Sequence, residues 1–328
     1  MRSARTILAL IAVQLVLLVN TALVGQTTPA NPNQGETPVV RMSLIVTDGA
    51  NNSVDDITKG DLKVFEDKIE QTILVLERDE RPFDCGIILD TSESFRKVLA
   101  PALEAVRLII DNKRPDDEIF IERFISSDKI DTLQDFTRDK EPLFESLKSL
   151  NVEGGQSAVL DALYLAVEHT AKHAQKNRRQ ALVLITDGED RASFYEQEVV
   201  VKALRKANMQ VFIIGITALL DKERGLIRQS QRDQAEKLLI TIAEESGGRL
   251  FLAAKVGELA KAVGEINHDL HGQIALSYRP TNNKKTGRRK VEVKFVAASD
   301  RKNWKAIAPR SYYLNAPDAG PAPKPKTP

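Results

Sequence analysis

The chain has 328 residues, 42% of them hydrophobic, and a formal net charge of +1. That length allows two domains with ordinary cores, and the near-zero charge excludes a global field suited to nucleic acid. With Cys85 as its single cysteine, an intramolecular disulfide and a lipid-bearing cysteine near the amino terminus are both excluded.

Arg2 and Arg5 precede an apolar stretch from Ile7 to Val24, with small residues at Ala22 to Gly25. This pattern predicts a signal peptide over residues 1–25. The expected location is therefore outside the cytoplasm: secreted, periplasmic or in the cell envelope. The alternative is an uncleaved anchor through residues 7–24. Residues 26–38, rich in Thr, Pro, Asn and Gly, read as a linker.

Strand patterns follow at Val40 to Thr47, Leu62 to Glu66 and Gln71 to Leu76, too little chain to close a β-fold alone. At the far end Gln273 to Tyr278 and Lys290 to Val296 alternate in the same way. Residues 39–80 and 271–315 are therefore expected to build one discontinuous β-sandwich, with residues 81–270 inserted between. The basic run Lys284 to Lys290 reads as a solvated hairpin turn, and the Pro-rich tail 316–328 as disordered.

Inside residues 81–270 strands and helices alternate. Predicted helices are Phe95 to Asn112, Glu141 to Leu150, Ser157 to His173, Glu196 to Ala207, Ala235 to Ser246 and Val256 to Leu270. Ser157 is the expected N-cap of the third. Apolar runs at Gly86 to Leu89, Glu118 to Ile125, Gln180 to Ile185, Val211 to Ile216 and Leu250 to Ala253 supply the strands. The fold class is α/β: an open, doubly wound, mostly parallel sheet with helices on both faces. Such sheets bind ligands at the carboxyl ends of their strands.

Three stretches place oxygen ligands at that end. Asp90-Thr-Ser92-Glu-Ser94 follows one buried run, so a carboxylate and two hydroxyls alternate on a tight turn and can converge on a small hard cation. Ser157 stands at the start of a helix, and Asp187 ends the strand that closes in Thr186-Asp187-Gly188. On these motifs the region from Arg81 to Leu270 resembles a von Willebrand factor type A domain with a metal-ion-dependent adhesion site. The β-rich flanks are similar to those of exported bacterial proteins of this kind. The second motif departs from the family pattern, with Ser157 in place of threonine; the hydroxyl is kept and a methyl is lost.

The resemblance implies a metal set of Asp90, Ser92, Ser94, Ser157 and Asp187, holding Mg²⁺, with Mn²⁺ and Ca²⁺ as alternatives. It implies a non-catalytic module that engages an acidic side chain of another protein through the ion. The alternative is a structural envelope component in which the ion mainly stabilises the domain. Glu93, Glu189 and Asp190 beside the site read as solvated loop charges, and Leu219 to Asp233 either as a rim above the metal or as an ordinary charged loop.

Competing chemistries find little support. Gly154-Gly155 lacks the lysine of a phosphate-binding loop, so no nucleotide is expected. There is no Gly-x-Ser-x-Gly elbow, and Ser92 has no evident histidine partner. Phosphoryl transfer at Asp90 would call for a second aspartate and a lysine near it, where Thr91-Ser92 stands instead. His169 and His173 fall four apart on a predicted helix, but no third zinc ligand has a suitable sequence spacing, so they read as a packed or solvated pair.

Overall fold

Strand β5 (Phe83–Asp90) runs through the middle of the molecule with every residue buried. Its two isoleucines point to opposite cores, Ile87 to one and Ile88 to the other. Each contributes about 1.5–3 kcal/mol by burial. Between them and Cys85, Gly86 leaves room for a neighbour: a Cβ there would sit 2.2 Å from the Phe120 ring. The computed structural model describes residues 39–54, 56–220, 230–282, 287–296, 301 and 303–314. The expected signal peptide, linker, Pro-rich tail, the turn at 283–286 and most of the segment Leu219 to Asp233 lie outside the described residues.

The remaining strands, in chain order, are β1 (Val40–Thr47), β2 (Leu62–Glu66), β3 (Ile69–Gln71), β4 (Ile73–Arg78), β6 (Glu118–Ser126) and β7 (Lys129–Thr137). They continue with β8 (Arg179–Thr186), β9 (Gln210–Gly215), β10 (Leu250–Leu252), β11 (Ile274–Tyr278), β12 (Gly287–Phe295), β13 (Lys305–Ile307) and β14 (Ser311–Leu314). The helices are α1 (Leu99–Asn112), α2 (Lys140–Lys148), α3 (Val159–His173), α4 (Gln197–Ala207), α5 (Gln231–Ser246) and α6 (Leu259–His271).

A six-stranded sheet has the order β10-β9-β8-β5-β6-β7. All its neighbours are parallel except β7, which returns antiparallel beside β6. Helices α1, α2 and α6 pack on one face, and α3, α4 and α5 on the other. From β5 the chain crosses through α1 to β6 on one side, and from β8 through α4 to β9 on the other, which places the switch point between β5 and β8. Their register sets Leu89 beside Ile185, so Asp90 and Asp187 emerge together at the carboxyl edge.

Two further sheets, both antiparallel, have the orders β13-β1-β11-β4 and β14-β12-β2-β3. They share a core of Leu44, Val64, Leu276 and Tyr278, so strands from before and after the α/β portion pack together. Ile45 on β1 also joins the core beneath α1 and α6, which ties this layer to the central sheet.

Several local readings are corrected. The single strand expected over Gln71 to Leu76 divides at Thr72, because β3 pairs with β2 in one sheet and β4 with β11 in the other. The helix expected from Phe95, with Pro101 either kinking it or marking its true start, begins at Leu99 after a 3-10 turn over Glu93–Lys97. Pro101 then falls in the first helical turn, where its missing N–H costs nothing. Strand β7 was not foreseen; its polar, half-exposed residues carry no apolar run. Within the basic run, Arg289 is 1% exposed and ion-paired with Glu66 rather than solvated.

Candidate metal centre

The turn after β5 is folded by Asp90 itself. Its Oδ1 accepts hydrogen bonds from the Ser92 amide at 3.0 Å and the Ser92 hydroxyl at 2.6 Å, an Asx-type turn that brings both groups back over the strand end. Ser94 follows, its Oγ 3.2 Å from Ser92 Oγ. On the other side Asp90 Oδ2 accepts from Thr186 Oγ1 at 2.7 Å and from Ser157 Oγ at 3.4 Å. Three segments therefore meet around one carboxylate.

Ser157 does not cap a helix as expected. Helix α3 starts at Val159 with Ala158 at the capping position. The Ser157 carbonyl accepts from the amides of Arg191 and Ala192 at 2.9 and 3.2 Å, which anchors the loop after β8 and leaves the hydroxyl turned toward Asp90.

Asp187 is fully buried. Its Oδ1 accepts from the Glu189 amide at 3.0 Å, a turn that Gly188 permits by adopting φ +80°. Its Oδ2 is buried with no hydrogen-bond donor among the described residues. Burial, and then the Asp187 charge, push the Asp90 carboxyl up to about 7. Burial likewise raises Asp187, with the Ser94 hydroxyl pulling the other way. Two buried carboxylates whose charges act on one another, one with a donorless oxygen, are destabilised as anions. A cation among them would relieve both effects, and hydroxyls and carboxylates are the ligands a hard divalent ion takes.

The flanking acids are otherwise engaged. Glu93 pairs with Arg96 at 2.7 Å and Glu189 with Arg191 at 2.6 Å, while Asp190 accepts from Ser193 Oγ at 2.6 Å. A residue with a larger part than its sequence position suggested is Asp161, in the first turn of α3. It receives the amides of Phe194 and Tyr195 at 2.9 and 2.8 Å and the Ser127 hydroxyl, so it fixes the loop beside the site. An aspartate four residues beyond Ser157 was the available signal. A cleft of about 380 Å³ beside this loop is lined by Leu160, Gly188, Asp190, Gln197, Gln231 and Leu238.

The family model described as von Willebrand factor type A domain matches residues 84–265, over half of the chain. The chain belongs to the von Willebrand factor type A domain family. Similar solved structures include an aerotolerance-related membrane protein of Bacteroides fragilis, 21% identical, covering 56% of this chain and 98% of its own, with a TM-score of 0.44. A von Willebrand factor type A protein from Catenulispora acidiphila is 13% identical, covers 85% of this chain and 74% of its own, and has a TM-score of 0.49. The BatB protein of Bacteroides thetaiotaomicron is 18% identical, covers 57% and 98%, and also has a TM-score of 0.44. A comparison with curated protein sequences returns no match. The type A fold places the chain among protein-interaction modules, a class that is in general non-catalytic. Among the described residues of this type A protein, no helix is long and apolar enough to cross a membrane.

Proposed function

We propose that this type A domain binds another protein through a divalent cation, Mg²⁺ foremost, held by Asp90, Ser92, Ser94, Ser157 and Asp187. The observation that carries the reading is Asp187 Oδ2, buried without a donor beside a second buried carboxylate and three hydroxyls. Serine hydroxyls leave an ion's charge largely uncompensated, so the two aspartates supply most of the negative charge. When bound, the ion supplies an electrophilic anchor for a partner's acidic side chain. The chain's own residues do the rest. Asp90 orients Ser92 and Ser157, Thr186 fixes Asp90, and Asp161 holds the adjoining loop for contact with the partner.

The protein acts outside the cytoplasm in this reading, as a non-catalytic module whose β layer presents the type A domain. Calorimetric titration of Mg²⁺ and Mn²⁺ into the chain tests the ion site. Binding near one equivalent, lost in Asp90→Ala and Asp187→Ala, is the expected result. Unchanged binding in both variants would reject the assignment. For the partner step, chelation should release a captured acidic protein reversibly while the circular dichroism spectrum stays folded.

A further inference from the structure

We propose that Asp84, Glu118 and His173 form a second cation site, for a first-row divalent transition ion of the Zn²⁺ type, at the amino-terminal end of the central sheet. Asp84 lies near the start of β5, Glu118 starts β6 and His173 ends α3. One carboxylate oxygen from each acid and one imidazole nitrogen lie within 4.8 Å of one another. Six residues of extended strand, about 20 Å, separate Asp84 from Asp90, so this cluster is independent of the adhesion-type site.

Asp84 is engaged through one oxygen, and Glu118 through both. Asp84 Oδ1 accepts from Arg178 Nε at 2.6 Å, and Glu118 Oε1 accepts from Arg138 Nε at 2.9 Å. Glu118 Oε2 stands 2.8 Å from His173 Nε2, and Asp84 Oδ2 is buried with no donor in a residue that is 0% exposed. An ion-pair network alone balances the charges but leaves that oxygen unsatisfied, which is costly for a buried acceptor. A bound cation would satisfy it.

The surroundings resemble the outer shell of a metal site. Arg178 donates through its Nη2 to the carbonyls of Phe83 and Asp116 at 3.1 and 2.9 Å, which holds Asp84 in place, and the same nitrogen lies 4.0 Å from Glu118 Oε1. The His173 ring stacks on Phe136 at 3.9 Å and 5°, which fixes its plane. Its side chain is 27% exposed, giving an ion a route in. A nitrogen and two carboxylate oxygens suit Zn²⁺, Co²⁺ or Mn²⁺ better than an all-oxygen ion such as Ca²⁺. The two guanidinium groups weaken attraction for any cation, so a modest affinity is expected.

The sequence hides this site because its three ligands sit on three elements. His169, the partner suggested by helical spacing, is instead hydrogen-bonded to Asp135 at 2.8 Å.

Co²⁺ is the direct probe, since imidazole and carboxylate ligation gives it visible absorption bands. The experiment uses the full chain carrying Asp187→Asn, which removes a ligand of the first site. Bands that saturate near one equivalent, are displaced by Zn²⁺, disappear in His173→Gln and persist in His169→Gln are expected. The half-exposed His173 tolerates replacement, so folding, checked by circular dichroism, stays intact. Absence of bands, or bands unchanged in His173→Gln, would overturn the proposal and leave the cluster an ion-pair network.

Discussion

Arg249 and Asp269 form a buried ion pair in which Arg249 Nη1 lies 2.9 and 2.7 Å from the two carboxylate oxygens. The same guanidinium donates to the Asn51 carbonyl at 2.9 Å and the Ser53 hydroxyl at 3.1 Å, and it lies over the Phe251 ring. One side chain thus fastens the turn after β1 to helix α6, joining the β layer to the α/β body. Arg249→Met would leave the Asp269 carboxylate buried without this cation, with the Ser53 hydroxyl still donating to it. A loss of about 3–5 kcal/mol is expected, read as a lowered urea midpoint in a single transition. An unchanged midpoint would mean that the joint carries no stability.

At the metal centre, stability and binding should move in opposite directions. Asp187 is a buried carboxylate with one donorless oxygen, held near a second carboxylate. Asp187→Asn removes that charge and keeps the shape. In chelator the variant is expected to be more stable than the parent by about 0.5–2 kcal/mol, the usual scale for relieving a strained functional site. Millimolar Mg²⁺ should raise the melting temperature of the parent and leave the variant unmoved, reversing their order. A variant less stable than the parent in both conditions would show that the carboxylate is held for packing alone.

The placement of Asp90 and Asp187 at one edge of the sheet was legible because each stands at the end of a short apolar run, while Ser92 and Ser94 follow Asp90 on the turn that its carboxylate folds. Ser157 was legible as a hydroxyl but misread as a cap, since its carbonyl is taken by Arg191 and Ala192 of a distant loop. Strand β7 escaped notice because an edge strand facing solvent needs no apolar alternation. The charged residues were the least readable. Arg289 looks like one more cation in a basic turn, and nothing local reveals that it pairs with Glu66, 223 positions away. Periodicity reports burial of apolar faces, whereas a buried charge is placed by a partner that only the folded chain supplies.

That partner network makes its own prediction. Glu66 receives Arg289 on Oε1, and on Oε2 the hydroxyls of Tyr278 at 2.8 Å and Tyr312 at 2.6 Å. Strands β2, β11, β12 and β14, drawn from both small sheets, thereby meet at one carboxylate. Glu66→Ala deprives a buried guanidinium of its carboxylate and two tyrosines of their acceptor. A loss of about 3–5 kcal/mol is expected, with near-ultraviolet circular dichroism reporting loosened tyrosines. Stability within experimental error of the parent would show that the two sheets are held by their apolar core alone.

Glu122 on β6 contributes to the pH dependence of stability. It is 3% exposed, its Oε1 has no donor, and burial, with the Asp131 charge adding to it, pushes its carboxyl up to about 8. The folded chain therefore keeps a proton that the unfolded chain gives up near the ordinary glutamate value of 4.5. Below that value the group has no effect on stability. Between it and about 8 the folded state holds more protons, so stability falls as pH rises, and above about 8 the full penalty is present. The whole span amounts to a few kcal/mol at the order-of-magnitude level. Urea unfolding of the parent at pH 5 and pH 8, beside Glu122→Gln at the same values, isolates this contribution. The parent should lose more stability than the variant between the two. Parallel losses would show that Glu122 is not the proton holder, whatever other groups titrate across that range.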